Sequence, residues 1–513
     1  MTSPTPDIPR ADSAQSAESL GATPVAAERR LHPLSWLFVL IQQLKQFIVP
    51  LVVLLFVGRG DRNDLWSIVV ICILAAMSIW QYYTYRFRID SDSLQIRSGL
   101  LQRSLRHIPF ARIHNVALHQ SLLHRIFGVA EVRLESAGGI KPEAEMRVLK
   151  LEDALALEAL VRRRRGVAAT VTGEPIQETS LALHSLSFGD LIRIGVISNR
   201  GMIVVGGALA VITQISPETV SKVVEYWGRL IFGFVESYSR GHEALAMITL
   251  IFGFVILVRA FSVFLAILQY SGFRLEEHGR RLTLERGLLT RLRTSTPRRR
   301  IQSWTLREGM LHRLFRRRTL EVSTAVLDNG SHSHPRSLRE VAPVATPERC
   351  EELIRHLVPH AQWPLYDWRP LHRGMVWRLL WPQLLMTAGA GAIAYLQFGR
   401  LGLMLVSLWL PWAGYIAWQH ARHAGYSIDE HLIASRSGWW TRQWRFAEIG
   451  KLQAIRFGRS PLDRRFGTAT LLIDIAGGNT LAEPMRLRFL PVNEARALHE
   501  RLAREIARRQ LRW

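Results

Sequence analysis

The phrase IRSGLLQR at 96–103 returns as LERGLLTR at 284–291 and as SRSGWWTR at 435–442. Laid over one another, 85–139 and 273–327 register without a gap at a spacing of 188. Leu94 falls on Leu282, Gly99 on Gly287, Arg103 on Arg291, Pro109 on Pro297, His124 on His312, Arg125 on Arg313 and Phe127 on Phe315. A further shift of 151 brings in Ile433, Gly438, Arg442, Leu462, Arg464 and Phe466. A gapless match of this length marks a repeated structural unit, so the chain is constrained to three copies of one domain.

Each copy opens on an extended run (YRFRID, GFRLEE, GYSIDE) and passes through the repeated phrase as strand, turn and strand. Gly99, Gly287 and Gly438 fit tight hairpins whose backbone needs a positive φ. The two apolar residues after each glycine are expected to begin the second strand, with Arg103, Arg291 and Arg442 where it meets solvent. Alternating runs at 130–137, 320–327 and 469–476 predict further strands. Amphipathic helices are predicted over 151–164, 347–358 and 493–509, one closing each copy. The fold class expected is α+β, each copy a curved antiparallel sheet or small barrel capped by its C-terminal helix.

A net charge of +24 coexists with a composition that is 48% hydrophobic because the two are segregated along the chain. Apolar segments occupy 36–57, 65–84 and about 191–215, 244–269, 375–397 and 401–420. Each is long enough to cross a ~30 Å hydrocarbon core, which needs roughly 20 helical residues. Lys45, Arg193, Arg200 and Arg378 within them must then lie near an interface or face other protein. The expectation is a membrane protein with about six transmembrane helices in three pairs, each pair followed by one β-domain. In residue terms this reads as a disordered tail (1–30), a first pair (31–84), domain one (85–166), a second pair (183–270), domain two (271–360), a third pair (371–421) and domain three (424–513). Between the helices of the second pair, 216–243 carries Val220, Val223, Val224, Trp227, Ile231, Phe234 and Val235 at helical spacing. It reads as an amphipathic helix lying on the membrane surface or packed on the spans. Arginine is concentrated after the second helix of each pair, which places the β-domains and both termini on the cytoplasmic side of a bacterial inner membrane.

The hairpin phrase, the following IPFARIHNV (108–116) and LLHRIFGVAEV (122–132) resemble the membrane-flanked bacterial pleckstrin-homology-like domain family, whose members were long filed as a domain of unknown function. The likeness runs over nearly the whole chain after residue 30 and weakens in copy three, where Glu448 replaces the proline and Asp463 the histidine. It implies a pleckstrin-homology-like (PH-like) fold in a multi-pass membrane protein, with no established enzymatic activity. It also implies action beside a shorter relative carrying one such domain, in tolerance of envelope or antimicrobial stress.

The residues carry no motif of a phosphate-gripping loop, a zinc protease or a serine hydrolase, so no enzyme and no cofactor is expected. Two cysteines, Cys72 and Cys350, exclude a disulfide framework and a cysteine zinc site. His332 and His334 lack a third metal ligand, so no metal is expected either. Nucleic acid is excluded as a partner because no reading element accompanies the basic charge, which topology already explains. The suggestive feature is the arginine concentration in copy two: Arg291, Arg293, Arg298, Arg299, Arg300, Arg313, Arg316, Arg317 and Arg318. All but Arg313 are candidate contacts for anionic lipid headgroups, each basic residue near an anionic leaflet contributing on the order of 1 kcal/mol. The function read from sequence is a membrane scaffold whose three domains bind partner proteins or anionic lipid. The alternative is a transporter that those domains regulate.

Overall fold

A computed structural model describes most of the chain between Arg29 and Arg508. Outside it lie 1–28, 42–62, 137–143, 168–179, 227–242, 325–337, 476–484, 509–513 and some shorter stretches, among them 100–103 and much of 216–226. The expected tail, most of the first span, most of the 216–243 helix, Arg103 and the His332–His334 loop therefore lie outside the described residues. The chain divides into two compact units, Met1–Ile113 with Ala144–Thr172 and His114–Glu143 with Gly173–Trp513.

In the first unit, helix α1 (Asn63–Thr84) leads into three antiparallel strands, β1 (Arg86–Ile89), β2 (Ser93–Ser98) and β3 (Ser104–Pro109). Period-two alternation buries Phe87, Leu94, Ile96 and Ile108. A strand Ala144–Lys150 and a helix Leu151–Val167 add Met146, Val148, Ala154, Leu157 and Val161 to the buried residues of this unit.

The second unit begins with β4 (Ile113–Gln120), the short helix α2 (Leu122–Ile126) and β5 (Val129–Ser136). Strand β6 (Ser180–Ser185) precedes α3 (Phe188–Ile197), α4 (Arg200–Ile215) and α5 (Glu243–Tyr270). Copy two continues as β7 (Arg274–His278), β8 (Arg281–Arg286), β9 (Arg291–Pro297), β10 (Ile301–Glu308), α6 (Met310–Leu314), β11 (Arg318–Thr324), β12 (Glu340–Ala345) and α7 (Pro347–Leu357). Two helical stretches, α8 (Met375–Ser407) and α9 (Trp409–His423), lead into copy three. That copy comprises β13 (Gly425–Ile428), β14 (Leu432–Ser437), β15 (Arg442–Glu448), β16 (Leu452–Gly458), α10 (Pro461–Arg465), β17 (Thr468–Ile475), β18 (Met485–Pro491) and α11 (Val492–Ala507).

All the strand pairs are antiparallel, and the sheets cross repeat boundaries. Within the second unit one sheet runs β5-β4-β9-β8-β7-β6, joining copy one to copy two. A second runs β12-β11-β10-β15-β14-β13, joining copy two to copy three, with the two-residue strand Arg369–Pro370 beyond β13, and a third holds β16-β17-β18 alone. The two joints share one register: Arg291 opposes Gln120, and at repeat-equivalent positions Arg442 opposes Glu308. Leu275, Leu282, Ile301, Trp304, Leu306, Leu353, Ile354 and Phe446 belong to one core that continues through the second joint. Tyr426, Ile433, Leu471, Leu487 and Leu498 fill the core of copy three.

The hairpins differ from the expectation in one detail. Leu288 and Leu289, like Trp439 and Trp440, lie in the turns themselves, and the next strand begins at Arg291 or Arg442. Gly287 has φ +108° and Gly438 φ +86°, and a Cβ at either would overlap the carbonyl oxygen of Thr290 or Thr441. The four-residue turn thus needs glycine for both conformation and space.

The count of six spans is corrected. Among the described residues, two helices are long and apolar enough to cross a membrane, Ile251–Tyr270 and Met375–Gly402. A third appears if Phe188–Ile197 and Arg200–Ala208, bent by 54°, form one span. Hydropathy alone overlooks where helices break. The 191–215 segment breaks at Ser198-Asn199, where the extended backbone of Ser198 (φ −73°, ψ 139°) ends α3 and a second helix starts at Arg200. At Gly399 (φ +61°, ψ −143°) the chain turns back, bringing Gly402 so close to Ala394 that a Cβ there would overlap the Ala394 carbonyl. The sixth predicted segment, 401–420, is consequently divided between the end of α8 and the 15-residue α9.

Candidate anion-binding cleft

Most of the arginines singled out in copy two are held by the protein. Arg291 and Arg293 share Glu285, each at 3.3 Å. Arg298 reaches Glu277 at 2.6 Å and donates to the carbonyls of His356 and Leu357 at 2.8 and 2.9 Å, pinning α7 to the sheet. Arg300 is half-buried beside it, while Arg299 is exposed. Arg318 pairs with Glu308 at 3.2 Å and Glu351 at 3.4 Å and lies over the Trp444 ring. Trp444 therefore sits inside a sheet, while Trp440 projects from a turn, and the two do not form one face. Arg317 stands 3.7 Å from Asp190 in the first turn of α3. Two opposed charges at such distances are worth little where solvent reaches them, so these pairs mainly fix side-chain positions.

Arg313 explains part of the repeat. Its guanidinium donates to the carbonyls of Trp439 and Trp440 at 3.1 and 2.9 Å, and its counterpart Arg125 donates to the carbonyl of Leu288 at 2.7 Å. The arginine of each LHR phrase thus grips the glycine hairpin of the next copy. Those hairpins lie at the feet of the apolar helices. The amides of Gly287 and Leu288 donate to the carbonyls of Ser271 and Leu268, and Trp439 packs edge-on against Tyr415 of α9. Leu288, Leu289 and Trp440 remain 44%, 39% and 51% exposed at the turn tips.

Between α6 and the start of α7 lies a cleft of about 340 Å³, lined by Glu308, Arg313, Arg316, Arg317, Thr346, Pro347 and Glu348. Thr346 caps α7, accepting from the Arg349 amide, and Pro347 occupies the first helical turn. Proline has no N–H and the Arg349 N–H is held by Thr346, so this helix start offers mainly the partial positive charge of its dipole, against which the Glu308 and Glu348 carboxylates also line the cleft. Arg313 is taken up by the Trp439 and Trp440 carbonyls and Arg317 by Asp190, which leaves exposed Arg316 as the arginine lining the cleft whose side chain has no hydrogen-bond or ion-pair partner among the described residues.

Arg316 was one of many arginines in the sequence, and its backbone sets it apart. It holds φ +49°, and its repeat equivalents are Gly128 (φ +64°) and Gly467 (φ +63°). The chain reads Phe-Gly in copies one and three and Phe-Arg in copy two, so the second copy places a charged side chain where the fold requires a left-handed residue. That conformation costs a non-glycine residue of order 1 kcal/mol, and such strain gathers at functional positions.

Two buried networks tie domains to helices. Glu340 accepts from Arg286 at 2.9 Å, from Arg200 of α4 at 3.1 Å and from the Tyr270 hydroxyl at the end of α5. Burial alone would raise the Glu340 pKa, but the guanidiniums of Arg286 and Arg200 outweigh it and hold the carboxyl below its ordinary range. In copy three Arg378 of α8 pairs with buried Asp463 and donates to Ser460 Oγ at 2.9 Å. Two of the arginines in the apolar segments, Arg200 and Arg378, thus face the domains, while Arg193 pairs with Asp190 on its own helix at 2.8 Å. His312 in α6 is pushed below its ordinary pKa by burial, against the opposing pull of Glu308. No cluster of His, Cys, Asp or Glu fit to hold a metal occurs among the described residues.

These features define a membrane-associated protein built on repeated PH-like domains. The bacterial PH domain family matches the chain three times, at residues 39–165, 228–358 and 385–506, and the chain belongs to that family. It is also 21% identical, over 490 residues, to the UPF0699 transmembrane protein YdbT of Bacillus subtilis (strain 168), covering 89% of this chain and 94% of that one. No solved structure gave a significant match.

Proposed function

We propose that this protein is an inner-membrane scaffold that mounts PH-like domains against the cytoplasmic leaflet and holds an anionic lipid headgroup in the cleft of the second domain. The observation that carries the reading is Arg316, a cation at a left-handed position that the other two copies give to glycine, beside the start of α7. Supporting it, the cleft shares Arg317 with Asp190 at the foot of α3, and the exposed Leu288, Leu289 and Trp440 are side chains of the kind that settle at a membrane interface. The remaining arginines serve architecture and orientation in the membrane.

The test uses the full chain in nanodiscs of phosphatidylglycerol or of phosphatidylcholine, with retained lipid read by native mass spectrometry. Retention of the anionic lipid by the natural protein, lost in Arg316→Gly and kept in Arg316→Lys, supports the reading. Equal retention in all three proteins sinks it.

A further inference from the structure

The two internal joints show what the outer edge of a second sheet is built to meet. At each, the first strand after the proline or 3-10 turn (β4 or β10) pairs antiparallel with the hairpin strand of the next copy (β9 or β15), in one repeat-equivalent register. The apolar residues of these edges are buried there: Val116 and Leu118 are 5% and 4% exposed, Trp304 and Leu306 2% and 1%. In copy three the same positions are Ile455 and Phe457 on β16, both only half-buried, and Ala454 and Arg456 beside them are exposed. Among the described residues no strand lies beyond β16, which pairs with β17 alone. Arg464, the counterpart of Arg125 and Arg313, is exposed and has no carbonyl to grip among the described residues.

The complementary edge is β3 of copy one. It pairs with β2, and no described strand of its sheet lies beyond it. Thr294 and Ser295 of β9 and Phe446 of β15 are buried at the joints, whereas the equivalent Arg106 and His107 of β3 are exposed, and Leu105 is 71% exposed. An open, partly apolar strand edge is a template for further pairing.

We propose that β16 of one molecule pairs with β3 of a second copy of this chain, in the register of the internal joints. Gly458 then opposes Ser104, Phe457 opposes Leu105 and Ile455 opposes His107. Such a contact joins unlike surfaces, so it extends molecules into a row or closes them into a ring. The register also sets Arg456 opposite Arg106, a like-charge pair that internal joints lack (Ala117 opposes Thr294, and Thr305 opposes Arg445). The intermolecular joint is thereby weaker than the internal ones, reversible and strengthened by salt.

Two differently tagged full-length copies, co-expressed in bacterial membranes, test this with a photo-reactive benzoylphenylalanine in place of Phe457. Illumination should give an adduct of two-copy mass carrying both tags, with the cross-link mapped to Ser104–Pro109, and the same group at Leu105 should map to Leu452–Gly458. Arg456→Glu should raise the yield severalfold by pairing with Arg106, and Arg464→Glu should lower it. Adducts that stay within one chain, that reach only lipid or another protein, or that fail to form would overturn the proposal.

Discussion

Replacing Arg316 with glycine separates stability from function. The left-handed backbone at φ +49° costs arginine about 1–2 kcal/mol relative to glycine. Glycine returns some of that gain through the entropy of the unfolded chain, about 0.4–1 kcal/mol. The net expectation is a second domain more stable by about 0.5–1 kcal/mol, since Gly128 and Gly467 hold the same conformation in the other copies. Amides of β11, which begins two residues later, should exchange hydrogen several-fold more slowly, as a stabilisation of this size implies. The same variant should lose selective retention of anionic lipid in nanodiscs. Arg316→Ala keeps the strain and loses the charge, so it should lose the lipid without gaining protection. Slower exchange with unchanged lipid retention would leave Arg316 without a ligand. Faster exchange would show that its side chain holds the fold, and the reasoning from strain to function would fail.

Gly287→Val meets the Thr290 carbonyl in a left-handed turn, so domain two should lose roughly 1–3 kcal/mol, read as increased proteolysis between 271 and 360 in membranes. Glu340→Gln leaves the buried Arg286 guanidinium facing a neutral amide, a loss of about 3 kcal/mol that should appear as faster exchange where α4 and α5 meet the domain. Acidification has a definite sign. His184 and His312 sit below their ordinary pKa because burial disfavours their charged forms, helped at His184 by Arg349. The unfolded chain therefore binds more protons, and stability should fall as pH drops below about 6.5. Glu340, held low, adds its own loss only below about 4.5. Denaturant midpoints compared at pH 7.5 and 5.5 check this, and His312→Gln should flatten the difference.

Much of the fold was legible because the repeat is gapless. The glycine turns, the closing helices and the strands at 130–137, 320–327 and 469–476 follow from local periodicity, which each element carries in its own residues. Pairing across copies was not legible. Alternation in β10 states that one face of the strand is buried, but nothing local says that its edge meets β15 and not a strand of its own domain. The span count failed for a related reason, since hydropathy sums over Ser198-Asn199 and Gly399, where single backbone geometries end a helix. The arginines were visible as charge, yet which carboxylate holds each depends on contacts such as Arg298 with Glu277 and Arg318 with Glu351, far apart in sequence. Arg316 alone had a readable signal, an arginine in copy two at the position glycine fills in the other two.

The most direct measurement is photo-labelling of the full chain in bilayers doped with a phosphatidylglycerol that carries a photo-reactive group at its headgroup, followed by peptide mapping. Labels concentrated on Met310–Arg317 and Thr346–Glu348, and displaced by unlabelled phosphatidylglycerol, are the expected result. Labels spread over exposed arginines such as Arg299 and Arg464, with those two segments clear, would contradict a headgroup site in the second domain.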